Sequence, residues 1–349
     1  MITIHQIFYQ NAQDMNQIPE ESVDLVITSP PYPIIEMWDD LFRNLDPNIV
    51  SALNSENGNL TFDLMHQQLD KVWIELYRVL KQGGIVCINI GDAVRTFNKK
   101  FSLYPNHSRI IQVFREIGFD SLPVIVWSKP TNAPNKFMGS GMLPPSAYVT
   151  LEHEYLLIFR KGNKREFFLS DEKVRRRHSA FFWKERNSWF SDLWDLKGVS
   201  QHLSTDSGRD RSASFPFDLA YRLVNMFSIQ EDLILDPFLG TGTTCLAAIV
   251  SGRNSIGIEL DDELAPIITE KLQSAKKLSE SVIKQRITNH KRFIEQQVKN
   301  GRELKYRNEF YGFPVMTKQE SQIEFQIIDE IQIKINNTFE VFYELYKIP

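Results

Sequence analysis

The residues best suited to chemistry fall in two short stretches about 200 residues apart. The first is Thr28-Ser29-Pro30-Pro31-Tyr32-Pro33. Its three prolines have no backbone N–H and fix φ, so the chain must leave any sheet rigidly after Ser29. The loop then offers a hydroxyl on Ser29, prolyl carbonyls that no ladder occupies, and the Tyr32 ring. Those groups suit a flat, neutral, polar partner such as a nucleobase, with acceptors for its amino group and a face to stack on. In isolation a plain proline-rich turn accounts for the same residues. The second stretch, Asp236-Pro237-Phe238-Leu239-Gly240-Thr241-Gly242-Thr243-Thr244, joins the apolar runs 233–235 and 245–250. Glycines between a strand and a helix let a ligand approach the backbone. Glu259 ends the next apolar run, about 20 residues past the turn, where a carboxylate accepts the hydroxyls of a ribose.

The turn is not a pyrophosphate fingerprint, because Cys245 stands where the third glycine would be. It is not a phosphate loop either, since no Lys-Ser/Thr pair follows the glycines. A nucleoside without phosphates fits better, and S-adenosylmethionine (AdoMet) is the common one.

The elements that position these residues alternate between strand and helix. Strands are predicted at 2–9, 23–28, 85–90, 122–127, 149–160, 232–236 and 254–260. A polar turn with a short helix fills 10–22, and 34–59 reads as a loop on the active-site side. A helix over 62–81 closes at Gly83-Gly84, and another near 106–117 ends at Gly118. The strand at 149–160 should run antiparallel in a terminal hairpin. This pattern implies an α/β fold, a mostly parallel sheet covered by helices.

The charge is uneven. Residues 161–190 carry nine Lys/Arg against four Asp/Glu, and 271–308 carry eleven against three, within a chain of net charge −4. Local basic segments in an acidic whole suit phosphate-facing surfaces. Arg175, Arg176, Arg177 and His178 sit beside Phe181, Phe182, Trp183 and Trp189, a mixture fit for phosphate and base contacts. An insertion with its own small aromatic core fits equally. Lys284, Arg286, Lys291 and Arg292 lie on an aromatic-poor helix and are expected to meet phosphates alone. A solvated helix face accounts for them too. Cys87 and Cys245 sit in apolar runs without metal-ligand spacing, as in a reducing compartment. No run is long enough to cross a bilayer, so a cytoplasmic protein without a metal or a membrane partner is expected.

The turn at 236–242 resembles the AdoMet-binding motif of amino-methylating DNA methyltransferases, and 28–32 resembles their catalytic motif in its S-P-P-Y form. That form in the family usually marks cytosine-N4 enzymes. The order, catalytic motif first, resembles the beta arrangement, with the target-recognition region between the halves. The resemblance spans residues 1–275. It implies a seven-stranded AdoMet-dependent fold, circularly permuted, acting on double-stranded DNA beside a cognate restriction endonuclease. On this basis 1–160 is the catalytic half, 161–213 the target-recognition region, 214–275 the AdoMet half and 276–349 an extension of unassigned role.

Carried over, Asp236 meets the methionine end of AdoMet, while Pro237, Phe238, Gly240, Gly242 and Thr243 line its pocket. Glu259 holds the ribose, Asn11 or nearby Asp14 faces the adenine, and Phe215-Pro216 adds contacts. Ser29 and the Pro30 carbonyl, with Pro31 and Tyr32 beside them, hold the amino group of a flipped base. Asn89 aligns with an acid often proposed to assist the serine, and Asp92 lies three residues on, so no general base is required. Neither cysteine is placed to act as the nucleophile that methylation at carbon 5 needs. If only the ring face of Tyr32 matters, Tyr32→Phe is nearly silent. Adenine-N6 methylation is the nearest alternative. Glutamine-amide methylation and a non-catalytic DNA-binding protein are more remote.

Overall fold

The computed structural model describes residues 1–129, 138–196 and 215–348. Ile2–Tyr9 (β1) and Val23–Thr28 (β2) form where the alternating and the continuous apolar runs lie, and β2 buries all six of its residues. A strand covered on both faces has no polar side to show, which is why its sequence is a run and not an alternation. Residues 34–59, expected as a loop, carry two helices, Asp39–Leu45 (α1) and Pro47–Asn54 (α2). Each is too short for a sustained period. Their junction is nonetheless written in the chain, since the Asp46 side chain accepts the Asn48 N–H and Pro47 sits in the first turn. Between β1 and β2 the chain makes turns only.

Helix Gly58–Val79 (α3) passes at Leu80 directly into Leu80–Ile90 (β3). Gly83 and Gly84, expected to close the helix, therefore lie inside the strand. Asn106–Ile117 (α4) does end on a left-handed glycine, Gly118 at φ 114°. Ile125–Ser128 (β4) and His153–Lys161 (β5) follow, then Ser170–His178 (α5), Trp183–Trp189 (α6) and Leu193–Asp195 (β6). The second half contains Phe217–Phe227 (α7), Leu233–Asp236 (β7), Thr243–Val250 (α8), Asn254–Glu259 (β8), Ala265–Gln273 (α9) and Ala275–Lys299 (α10). It closes with Gln326–Lys334 (β9) and Thr338–Leu345 (β10).

The main sheet runs β6-β4-β5-β3-β2-β7-β8-β1-β10-β9. Strands β3, β2, β7, β8 and β1 are parallel, and β5 lies antiparallel between β3 and β4, as expected. Helices cover both faces over two large buried clusters. The seven strands from β4 to β1 are extended at both edges. Strand β6 pairs parallel with β4, and the C-terminal hairpin β9–β10 pairs antiparallel with β1. The extension after residue 275 thus continues the central sheet through this hairpin. The register places the carboxyl ends of β2, β7 and β8 side by side, with Leu235 opposite both Val26 and Ile256. No helix among the described residues is long and apolar enough to cross a membrane.

Candidate active site

Three strand ends build the site. Where β2 stops, Thr28 Oγ1 donates to Asp236 Oδ1 at 2.7 Å. From α8, Thr244 Oγ1 donates to Oδ2 at 2.6 Å, and the Phe238 N–H donates to Oδ1 at 3.0 Å. These bonds hold a carboxyl group that is only 2% exposed, and burial pushes it up to about 6. The Gly240 N–H donates to Glu259 Oε2 at 2.7 Å, and the Asp261 N–H donates to Oε1 at 2.9 Å. Gly240 adopts φ +54°, and a Cβ built there meets nothing within 4 Å. The backbone at this point faces open space on the ligand side of the turn.

That space is a cavity of about 790 Å³. Of the residues singled out in the sequence, Asn11, Ser29, Pro30, Pro31, Phe215, Asp236, Pro237, Phe238, Gly240, Thr243 and Glu259 all line it. One wall comes from the unforeseen α1, through Leu41, Asn44 and Leu45, with Trp38 just before it. Asp14 is exposed, and its carboxylate accepts the Asn16 N–H, so Asn11 is the residue that faces the cavity.

Three expected members do not line it. Gly242, at φ +86°, caps α8, and a Cβ there comes within 3.2 Å of Ile268. A side chain at 242 therefore disturbs helix packing before it reaches a ligand. Pro216 caps α7. Tyr32 lies behind the loop, and its hydroxyl has three side-chain partners. It accepts from Ser29 Oγ at 3.3 Å and from Asn89 Nδ2 at 2.9 Å, and it donates to Glu154 Oε2 at 3.0 Å. The hydroxyl is thus engaged within the protein, which the expectation that only the ring face matters does not include.

Glu154, the first residue after His153 in β5, escaped sequence reading. It accepts from Asn89 Nδ2 at 2.7 Å and pairs with Lys129 Nζ at 2.7 Å. Strand pairing sets Leu156 opposite Asn89, which brings a carboxylate distant in sequence to the catalytic loop. The available signal was an acid opening an otherwise aliphatic-aromatic strand. Asp92 is engaged elsewhere, accepting the N–H and Nδ1 of His107 at the start of α4. Lys271 on α9 was also missed. Its Nζ lies 2.6 Å from Thr241 Oγ1 and 3.2 Å from Thr243 Oγ1, and burial pulls the ammonium down to about 8. Both cysteines are fully buried, which pushes their thiols up, Cys245 to about 12.

The expected DNA-reading residues divide. Arg175 pairs with Glu231, and His178 with Glu324 at 3.2 Å. Both are spent on contacts within the fold. Arg176 and Arg177 are exposed, the former lying over the Phe167 ring. Lys291 and Arg292 are exposed, and Lys284 pairs with Glu280 one helical turn away. Arg286 is a structural residue instead. Its guanidinium bonds both oxygens of Glu185, at 2.6 and 2.8 Å, and Tyr221 Oη at 3.1 Å. Several aromatics of 161–196 pack into cores, with Phe182 beside Ile283, Ile287 and Phe313, and Trp189 and Trp194 against α7 residues, whereas Trp183 and Phe168 are exposed. Residues 197–213 of the expected recognition region lie outside the described residues.

Comparison with known proteins agrees with this arrangement. The DNA methylase family model (N6/N4 methyltransferases) matches residues 23–270. The Type II methyltransferase M.MthZI of Methanothermobacter thermautotrophicus is 51% identical over 346 residues, which cover 99% of this chain and 96% of that protein. M.MjaI of Methanocaldococcus jannaschii is 52% identical over 282 residues, covering 77% and 91%. Among solved structures, a putative DNA modification methylase of Thermus thermophilus in complex with S-adenosyl-L-methionine superposes with a TM-score of 0.60 at 29% identity, over 78% of this chain and 95% of that one. The cytosine-N4-specific PvuII DNA methyltransferase shares the fold, at a TM-score of 0.54 and 17% identity, over 78% and 93%. The chain belongs to the DNA methylase family.

Proposed function

We propose that this enzyme transfers the methyl group of AdoMet to the N4 amino group of a cytosine flipped out of a short, specific duplex sequence. The arrangement is of the beta type, with S-P-P-Y as the catalytic motif. One observation carries the reading: Ser29, Pro30 and Pro31 line the same cavity as the Gly240 turn and Glu259.

The residues present fit AdoMet. Glu259 offers acceptor oxygens for the ribose, and open space stands beside Gly240 where the ligand must approach the backbone. Asp236 is a buried carboxyl group that would meet the amino end, and Lys271, which does not itself line the cavity, places positive charge behind Thr241 and Thr243, which do. Asn11 and Phe215 also line the cavity and would hold the adenine. AdoMet supplies an electrophilic methyl group on a sulfonium. The chain itself positions the acceptor. Ser29 Oγ and the Pro30 carbonyl accept the amino N–H bonds, which turns the nitrogen lone pair out of conjugation with the ring and toward the methyl group. As the new C–N bond formed, the sulfonium C–S bond would break and the sulfur depart as a neutral thioether. The nitrogen, then cationic and acidic, would lose its proton to water without a strong base.

Glu259→Ala is expected to weaken AdoMet binding at least tenfold with the fold intact, since it removes both the ribose acceptor and the anchor of the Gly240 N–H. Calorimetric titration checks this, and native affinity in a folded variant overturns the assignment. For DNA, the exposed Arg176 and Arg177 are the candidates for base reading, and Lys291 and Arg292 for phosphates. Neutralising the last two should weaken binding to all sequences and flatten its salt dependence, while either arginine should cost about 1–3 kcal/mol on the cognate site alone. Salt titrations on cognate and scrambled duplexes separate the two.

The S-P-P-Y form carries the choice of cytosine. Digesting in vitro methylated DNA to nucleosides and identifying the product by mass tests it. N4-methylcytosine is expected, and N6-methyladenine alone replaces the reading with adenine methylation. A restriction endonuclease of the same specificity is the expected companion.

A further inference from the structure

Ser29 is the group that meets the target amine, yet a serine hydroxyl is ambiguous, able to donate or accept. Its neighbours remove the ambiguity. Glu154, with Lys129 Nζ 2.7 Å from Oε1, presents a carboxylate that only accepts. It takes the Tyr32 hydroxyl proton at 3.0 Å, which leaves Tyr32 Oη with lone pairs alone toward the rest of the cluster. The Asn89 amide must turn its nitrogen to Glu154, because its oxygen would otherwise stand 2.7 Å from a carboxylate oxygen. The same nitrogen then donates to Tyr32 Oη and lies 3.5 Å from Ser29 Oγ. The Ser29 hydroxyl donates to Tyr32 Oη at 3.3 Å, while Asn89 Oδ1, also an acceptor, is buried with no hydrogen-bond partner among the described residues. Every proton points toward Glu154.

We propose that Glu154 is a positioning residue which, through Tyr32 and Asn89, turns the Ser29 proton away from the cavity and holds its lone pairs toward the target amino group. The inference rests on the methyltransferase reading given above. It gives the Tyr32 hydroxyl a function separate from stacking. It also explains how a chain with Asn89 in place of an acid still places a carboxylate behind the catalytic serine. Glu154 stays off the substrate and exchanges no proton with it. Its effect lies in the direction of one hydroxyl.

A double-mutant cycle tests this in single-turnover methylation of a duplex that the native enzyme modifies, at saturating AdoMet, with AdoMet affinity measured alongside. Tyr32→Phe and Glu154→Leu are each expected to slow transfer about tenfold, the worth of one oriented hydrogen bond, with AdoMet affinity unchanged. Glu154→Gln keeps an acceptor oxygen for Tyr32 and should recover most of the rate. In a Ser29→Ala background, Tyr32→Phe should add less than a twofold loss, because the hydroxyl it orients is gone. A Tyr32→Phe enzyme as fast as native overturns the inference, and so does a tenfold loss that persists in the Ser29→Ala background. Should Glu154→Leu fail to fold, Tyr32→Phe, which removes one oxygen atom, decides the matter alone. A native enzyme that binds AdoMet but methylates no DNA overturns the functional reading, and this inference with it.

Discussion

Ser29→Ala is expected to slow methyl transfer by about 10²-fold while AdoMet and DNA affinities stay close to native. The cytosine amino nitrogen is a weak nucleophile because its lone pair is shared with the ring. An acceptor at Oγ is worth most when the nitrogen becomes tetrahedral, so its loss falls on the transition state and spares the ground state. The surroundings predict a clean variant. Ser29 directly follows Thr28, whose bond to Asp236 is untouched, and prolines on its far side fix the backbone. Single-turnover rates beside equilibrium titrations make the measurement. Unchanged turnover would show that the Pro30 carbonyl suffices and that Ser29 has no catalytic part.

Arg286→Ala is expected to lower the stability of the protein by about 3–5 kcal/mol without touching the cavity. The guanidinium and its partner Glu185 are 11% and 13% exposed at their side chains, and the two hydrogen bonds between them tie α10 to α6. The rings of Phe325 and Trp189 lie 4.9 and 5.4 Å from the guanidinium carbon. Removing the arginine leaves Glu185 buried without its counterion, and that uncompensated charge is the larger part of the loss. Replacing both residues by leucine should recover much of it, since an apolar pair leaves no charge to solvate. Urea denaturation of the two variants measures both effects. A loss below about 1 kcal/mol in the single variant would place this pair among weak surface bridges.

The sequence was most informative where local chemistry dictates local shape. Prolines after β2, glycines after β7 and Glu259 at the end of β8 place the loop, the turn and the acid before any tertiary contact is known. What escaped depends on pairing across long separations. Glu154 reaches Ser29 and Asn89 only because β5 packs on β3 in one register, and neither segment announces that register. Arg286 looked like one more charge on a basic helix, because the carboxylate that captures it lies 101 residues away. Helices α1 and α2 were too short for periodicity to stand out, although Asp46-Pro47 marks their boundary. Strand β10 does alternate, burying Phe339, Val341 and Tyr343, but nothing local in it says that it joins the far edge of the sheet at β1.

That hairpin bears on how the chain is made. Strand β1 has two neighbours, β8, whose residues lie about 250 positions downstream, and β10, more than 330 downstream. On a ribosome adding roughly 5–20 residues per second, β1 therefore waits about 12–50 s for its first partner. Over that interval both of its hydrogen-bonding edges stay open, on a segment that carries Ile2, Ile4, Ile7 and Phe8. Synthesis of this protein should accordingly draw on chaperones that shelter the residues of β1, and yield should fall as expression rate rises.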